Sequence, residues 1–189
     1  HGDHQRSPQP REPKLDGAEA VGIVPGVGDP RLGDRKPPPV IVGDTREPIE
    51  TAYKFEGFES SRRTLASGDY SLLGYESEVA VERKEKGDGW SCVGGSRKRF
   101  EACLRRLAGI GSPAIVIEAS LDDFVVAPAY TKLSPAQAVG AYISWSQEYR
   151  IPVFFCPNRA YAEKVTLRWL MAFWRHRMRV AGADMKTSP

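Results

Sequence analysis

The sequence predicts an α/β domain with a partly parallel sheet. Short apolar runs, Val40–Val42, Ala114–Ile117 and Ile151–Cys156, read as buried strands. Helical patterns separate the later runs, and such alternation implies parallel pairing. The segment Glu78–Lys84 alternates as an exposed or half-buried strand does, with Val79, Val81 and Arg83 on one face and Ala80, Glu82 and Lys84 on the other.

Taken in order, residues 1–36 stand apart. Proline and glycine make up 11 of them, six basic residues balance six acids, and no apolar period appears, so a disordered tail is expected before an ordered domain at 37–189. A first strand at 40–42 ends in the loop signal Gly43–Pro48, and a short helix is expected from about Ile49 to Phe55. Phe58–Leu65 reads as a second strand, Ala66-Ser67-Gly68 as a turn or bulge, and Asp69–Leu73 as a third strand ahead of Glu78–Lys84. Gly87–Gly95 is expected to be a glycine-rich loop. A helix at 96–108 places Phe100, Cys103, Leu104 and Leu107 on one face. Ser134-Pro135 supplies a cap and first turn for a helix reaching Tyr149. A last, long helix is expected at 159–179.

A chain of 189 residues and 41% apolar content can form a sizeable core. The net charge of +3 permits a nucleic-acid partner without requiring one. Cys92, Cys103 and Cys156 are odd in number and lack CxxC spacing, which argues against a disulfide framework or zinc site and fits a reducing compartment. No apolar run approaches a membrane span and no signal peptide is visible. The expected location is cytoplasmic in a bacterium or phage, nuclear in a eukaryote, and not secreted.

The chemistry is concentrated around Glu82. Glu82 and Lys84 lie two apart on a strand and emerge on one face. A hairpin can bring Asp69 beside Glu82. Two adjacent carboxylates repel unless a cation neutralises them, and hard oxygen donors without histidine favour Mg2+ or Mn2+. A cation so held polarises a phosphate oxygen and acidifies a bound water, while Lys84 can orient that water or face the charge on phosphorus. Asp44 and Glu47 can add ligands or position the metal's waters. Arg83 alternates to the other face, where a phosphate contact and a structural ion pair are both open.

Gly68-Asp69, then Glu82-Arg83-Lys84, then three residues and Asp88, resembles the signature of XPF/ERCC4-type nucleases. Gly43-Asp44-Thr45-Arg46-Glu47 resembles the family's preceding D-x-R-E segment. Arg97–Phe100 resembles its basic helix start, and Ile115–Glu118 the strand that follows. The resemblance covers residues 39–157. It implies a restriction-endonuclease-like core, a central mixed β-sheet flanked by α-helices. It implies a divalent-metal-dependent endodeoxyribonuclease using Mg2+ or Mn2+ on branched, flapped or single-strand/double-strand junction DNA. It assigns Asp69, Glu82 and Lys84 as the catalytic set with Arg83 and Glu47 in support, Asp44, Asp69 and Glu82 as metal ligands, and Arg46, Arg97 and Arg99 as DNA contacts. Homodimers or heterodimers through the nuclease domain are further implied partners.

The stretch after the last helix is too short for the tandem helix-hairpin-helix domain of junction-specific members, and no helicase motif is present. Ile23–Gly28 resembles a helix-hairpin-helix turn, but Pro30 and Gly33 oppose its second helix, so a linker is expected. Asp88 precedes Gly89-Trp90 where the family often has an apolar residue. Trp90 reads as a base-stacking residue or a packed anchor. The last helix interleaves Lys164, Arg168, Arg175, Arg177 and Arg179 with aromatics, as a DNA-backbone surface, a packing helix or a dimer face would. Two alternatives to junction cleavage stand: a restriction- or Holliday-junction-type nuclease on the same core, and a catalytically silent DNA-binding or dimerisation module.

Overall fold

The structure, a computed structural model, describes residues 37–187, with side chains through Ala181. The expected tail at 1–36 and its hairpin-like turn lie outside the described residues.

Six strands form one sheet in the order β2-β1-β3-β4-β5-β6. They are β1 (Ile41–Asp44), β2 (Ser60–Arg63), β3 (Tyr70–Leu72), β4 (Val79–Lys84), β5 (Ser112–Ile117) and β6 (Val153–Phe155). β3 is antiparallel to both β1 and β4, whereas β1–β2, β4–β5 and β5–β6 are parallel. The sheet is therefore mixed, as the sequence predicts. The helices are α1 (Lys86–Val93), α2 (Arg97–Leu107), α3 (Pro135–Tyr149) and α4 (Arg159–Thr187).

β4 divides the core. Val79 and Val81 join Ile41, Tyr53, Tyr70, Leu72 and Leu170 on the face covered by α4. Ala80 joins Phe100, Leu104, Leu107, Tyr142 and Trp145 on the face covered by α1, α2 and α3. The alternation expected for β4 holds along its whole length, and it decides which chemistry Glu82 and Arg83 each meet.

Four elements differ from expectation. Gly87–Gly95 is not a loop: Lys86–Val93 is helical. Two glycines oppose a helix, but burial of Trp90, Cys92 and Val93 outweighs their propensity, and Asp88 in the first turn complements the helix dipole. Gly89 fits closely there, since a Cβ would stand 3.1 Å from Phe124 and 3.3 Å from Ile117. The short helix after Pro48 shrinks to one 3-10 turn, Ile49–Thr51, because Tyr53 and Phe55 turn inward and Phe55 takes a φ of 47°. Gly43-Asp44 belongs to β1 rather than to a loop, paired with Arg62, Arg63 and Tyr70. α4 runs on to Thr187.

The cap at Ser134 forms as read: its hydroxyl accepts from Gln137 N, and the Gln137 side chain accepts from Ser134 N. Trp90 is a packed anchor, buried and stacked on Phe124 at 5.1 Å. Trp169 and Phe173 of α4 pack inward, against Phe154 and Tyr75, while Tyr161, Arg175, Arg177 and Arg179 are exposed. No helix among the described residues is long and apolar enough to cross a membrane.

Candidate functional site

A cleft of about 460 Å³ opens between the segment from β1 to the 3-10 turn, the β3–β4 hairpin and the helices α1 and α2. Its floor is the paired carboxylates Asp69 and Glu82. Asp69 is placed by Gly68, which has a φ of +79° and whose Cβ, if present, would lie 3.0 Å from Ala80 Cβ and 3.2 Å from Val81 O. Only glycine combines that conformation with that approach. Asp69 N then donates to Val81 O at 2.8 Å, and Arg83 N donates to Asp69 Oδ2 at 2.7 Å, so the carboxylate is fastened to the end of β4.

Asp69 is held well above the usual carboxylate range, at about 8. Burial is the largest cause, and the neighbouring charge of Glu82 adds to it; Lys84 and the Arg83 N–H act in the opposite direction without cancelling them. Lys84 Nζ donates to Glu82 Oε1 at 2.5 Å. Burial works against the lysine's charge, but Glu82 and Asp69 outweigh it and raise its pKa. Cys92 and Cys103 also line the cleft, and burial pushes both thiols up, to about 11 and about 12.

The other predicted residues divide by place. Glu47, Arg83 and Asp88 line the cleft. Arg83 is nonetheless committed to carboxylates: Nε to Glu118 at 2.7 Å, Nη1 to Glu47 at 2.9 Å and Nη2 to Glu85 at 2.8 Å. Of the two readings left open by the sequence, this geometry is an ion-pair cluster. Asp44 is fully buried and does not line the cleft. Its oxygens accept from Arg46 N, Nε and Nη2 and from Leu65 N at 2.7–2.8 Å, and these bonds outweigh burial to lower its pKa. To ligate a metal, Asp44 would have to release Arg46.

Arg46 lies over the cleft rim with a largely exposed side chain. Arg99 reaches the same rim, but Arg97 does not: it pairs with Glu101 at 2.9 Å and covers Trp145 at 5.1 Å. Those contacts compensate its position at a helix N-terminus without an external anion. Sequence reasoning missed Arg106, two turns beyond Arg99 on the same face of α2, and Glu118, whose partners come from three distant segments. Helical spacing could have found Arg106; nothing local marks Glu118.

Among the described residues no three His, Cys, Asp or Glu side chains are placed to hold a metal ion by themselves. Asp69 and Glu82 still suit a hard divalent cation. Mg2+ commonly takes one or two protein carboxylates and keeps water or phosphate in its other positions. Burial and the neighbouring charge of Glu82 both lift Asp69, and such an ion would offset them.

The ERCC4 domain model matches residues 44–168, well over half of the chain. The chain belongs to the ERCC4 domain family. This ERCC4 domain is similar in structure to XPF from Aeropyrum pernix, at 19% identity, covering 71% of this chain and 61% of that one with a TM-score of 0.57. It is similar also to XPF from Aeropyrum pernix in complex with DNA, at 18% identity, 73% and 66% coverage and a TM-score of 0.58. At such identities the likeness shows the fold alone, a mixed sheet flanked by helices. The chain spans less than two thirds of either relative. No curated protein sequence matches it.

Proposed function

We propose that this ERCC4 domain is a divalent-metal-dependent endodeoxyribonuclease that hydrolyses phosphodiesters at branched or single-strand/double-strand junction DNA. The observation that carries the reading is the pairing of Asp69 with Glu82 beside Lys84 in one cleft, in a chain whose family is that of a nuclease domain.

Asp69 and Glu82 would hold Mg2+ or Mn2+. When bound, the cation supplies polarisation of a phosphate oxygen and a more acidic attacking water. With the charge of Glu82 so occupied, Lys84 Nζ is freed to orient the water or to face negative charge on phosphorus. The water releases a proton to solvent as its oxygen bonds to phosphorus, the bond to one sugar oxygen breaks, and the leaving oxygen takes up a proton from solvent. Arg46, Arg99 and Arg106 ring the cleft with donors for neighbouring phosphates. Asp44 keeps Arg46 aimed there through its bidentate pair.

The test is cleavage of flap, fork, crossover and plain duplex DNA in Mg2+ or Mn2+, with Asp69→Ala beside the wild type. Branched substrates should be cut in preference to plain duplex, and Asp69→Ala should cut none. Silence on every substrate with both metals, or full activity in Asp69→Ala, would overturn the reading. Preference for four-way crossovers or plain duplex would favour the related nuclease classes.

A further inference from the structure

Glu118, just past the end of β5, is a nearly buried carboxylate that the cleavage chemistry above does not use. Its Oε1 accepts from Tyr53 OH at 2.8 Å, Arg83 Nε at 2.7 Å and Arg159 Nη1 at 3.4 Å. Tyr53 lies under both guanidinium groups, 5.2 Å from Arg83 and 5.1 Å from Arg159. Arg159, in the first turn of α4, also donates to the carbonyls of Thr51 and Ala52. Glu118 thus anchors the inner edge of the Arg83 guanidinium, whose outer nitrogens hold Glu47 and Glu85 at the cleft rim.

The charge balance makes that anchor consequential. Arg83 sits at the rim of a cleft whose floor carries Asp69 and Glu82, and its three carboxylate partners together with the Tyr53 ring draw it away from them. Remove the inner charge and the guanidinium is drawn toward the acidic floor, where it competes with a cation.

We propose that Glu118 is a positioning residue of the cleft: it pins Arg83 so that its guanidinium stays off Asp69 and Glu82 and leaves that pair free for a divalent cation. This rests on the metal-dependent reading above and adds a residue to it.

The test is calorimetric titration of the full chain with Mn2+ alone, without DNA, on wild type, Glu118→Gln, Glu118→Asp and Arg159→Gln, each also followed by thermal unfolding. Glu118→Gln keeps the size of the side chain and a hydrogen-bond acceptor but loses the charge. It should bind Mn2+ about tenfold more weakly, the scale of an outer-sphere substitution. Glu118→Asp, which keeps the charge, should recover part of the loss. Arg159→Gln removes bonds from the same cluster and should lower the unfolding temperature as Glu118→Gln does, yet bind Mn2+ as the wild type does. Unaltered Mn2+ affinity in Glu118→Gln overturns the proposal, as does equal weakening in Arg159→Gln, which would mark general loosening. If Glu118→Gln unfolds, Glu118→Asp decides: weaker binding at unchanged melting supports the role, and wild-type binding refutes it. Failure of wild type itself to bind Mn2+ would sink the metal-dependent reading and this proposal together, an outcome distinct from the others.

Discussion

On the α4 side of β4, Arg83 is enclosed by three carboxylates at 2.7–2.9 Å, and every nitrogen of its fork has a partner. On the α2 side, Lys84 has Glu82, while Asp69 faces Glu82 with one backbone N–H to offset its charge. Both sets belong to neighbouring residues of a single strand. One is satisfied within the protein; the other holds a carboxylate far above its ordinary pKa, chiefly through burial and further through the charge of Glu82, which Lys84 and one backbone N–H do not cancel. The difference separates what charge does for a fold from what it does for a reaction. Complete pairing fixes geometry, and incomplete pairing leaves a place for a ligand.

The comparison can be broken most sharply at Lys84. Lys84→Met should reduce metal-dependent cleavage by about 10³-fold, near the upper range for loss of one charge-stabilising donor. Its DNA affinity, read by fluorescence anisotropy, should be retained. Arg83→Met should act mainly on the fold. It takes the cation nearest Glu118 and the partner of Glu47, and urea unfolding should show a loss of about 3–5 kcal/mol, the usual scale for breaking a buried pair from one side. If Arg83→Met proved as stable as the wild type, the two faces would not differ as described.

Gly68→Ala is a milder probe of the α2 face. Backbone strain at its positive φ, of about 1–3 kcal/mol, and the close approach to Ala80 should shift Asp69, so cleavage should fall more than stability does.

The same face also sets a pH dependence. Asp69 titrates at about 8 when folded and at the ordinary 3.8 when unfolded. Between those values the folded state keeps a proton that the unfolded state has released. Metal-free stability should therefore fall as pH rises from about 4 to about 8 and then level off. Asp69→Asn should flatten that slope, and urea midpoints across the range measure it.

Much of this was legible in the sequence where the physics is local. Period-two alternation on β4 separated Arg83 from Glu82 and Lys84, and the structure keeps that separation. Gly68 marked a break, and its cause is a backbone approach that only the fold creates. Ser134 and Pro135 announced α3 because capping is settled within four residues. α1 was hidden because its glycines suggest a loop, and only Phe124 and Ile117, from elsewhere in the chain, explain Gly89. The arginines of α2 looked alike in a row; Trp145 decides that Arg97 turns away while Arg99 stays at the rim. Likewise Glu118 and Arg159 meet Arg83 and Tyr53 across long sequence separations, which no spacing rule reaches.

The most direct measurement of the central claim is thermal unfolding of wild type and Asp69→Asn with increasing Mn2+. A ligand that binds only the folded state raises its stability in proportion to the logarithm of its excess over Kd. The account predicts a rising melting temperature for the wild type and none for Asp69→Asn, which should be at least as stable without metal. Equal Mn2+ stabilisation of both proteins would contradict it.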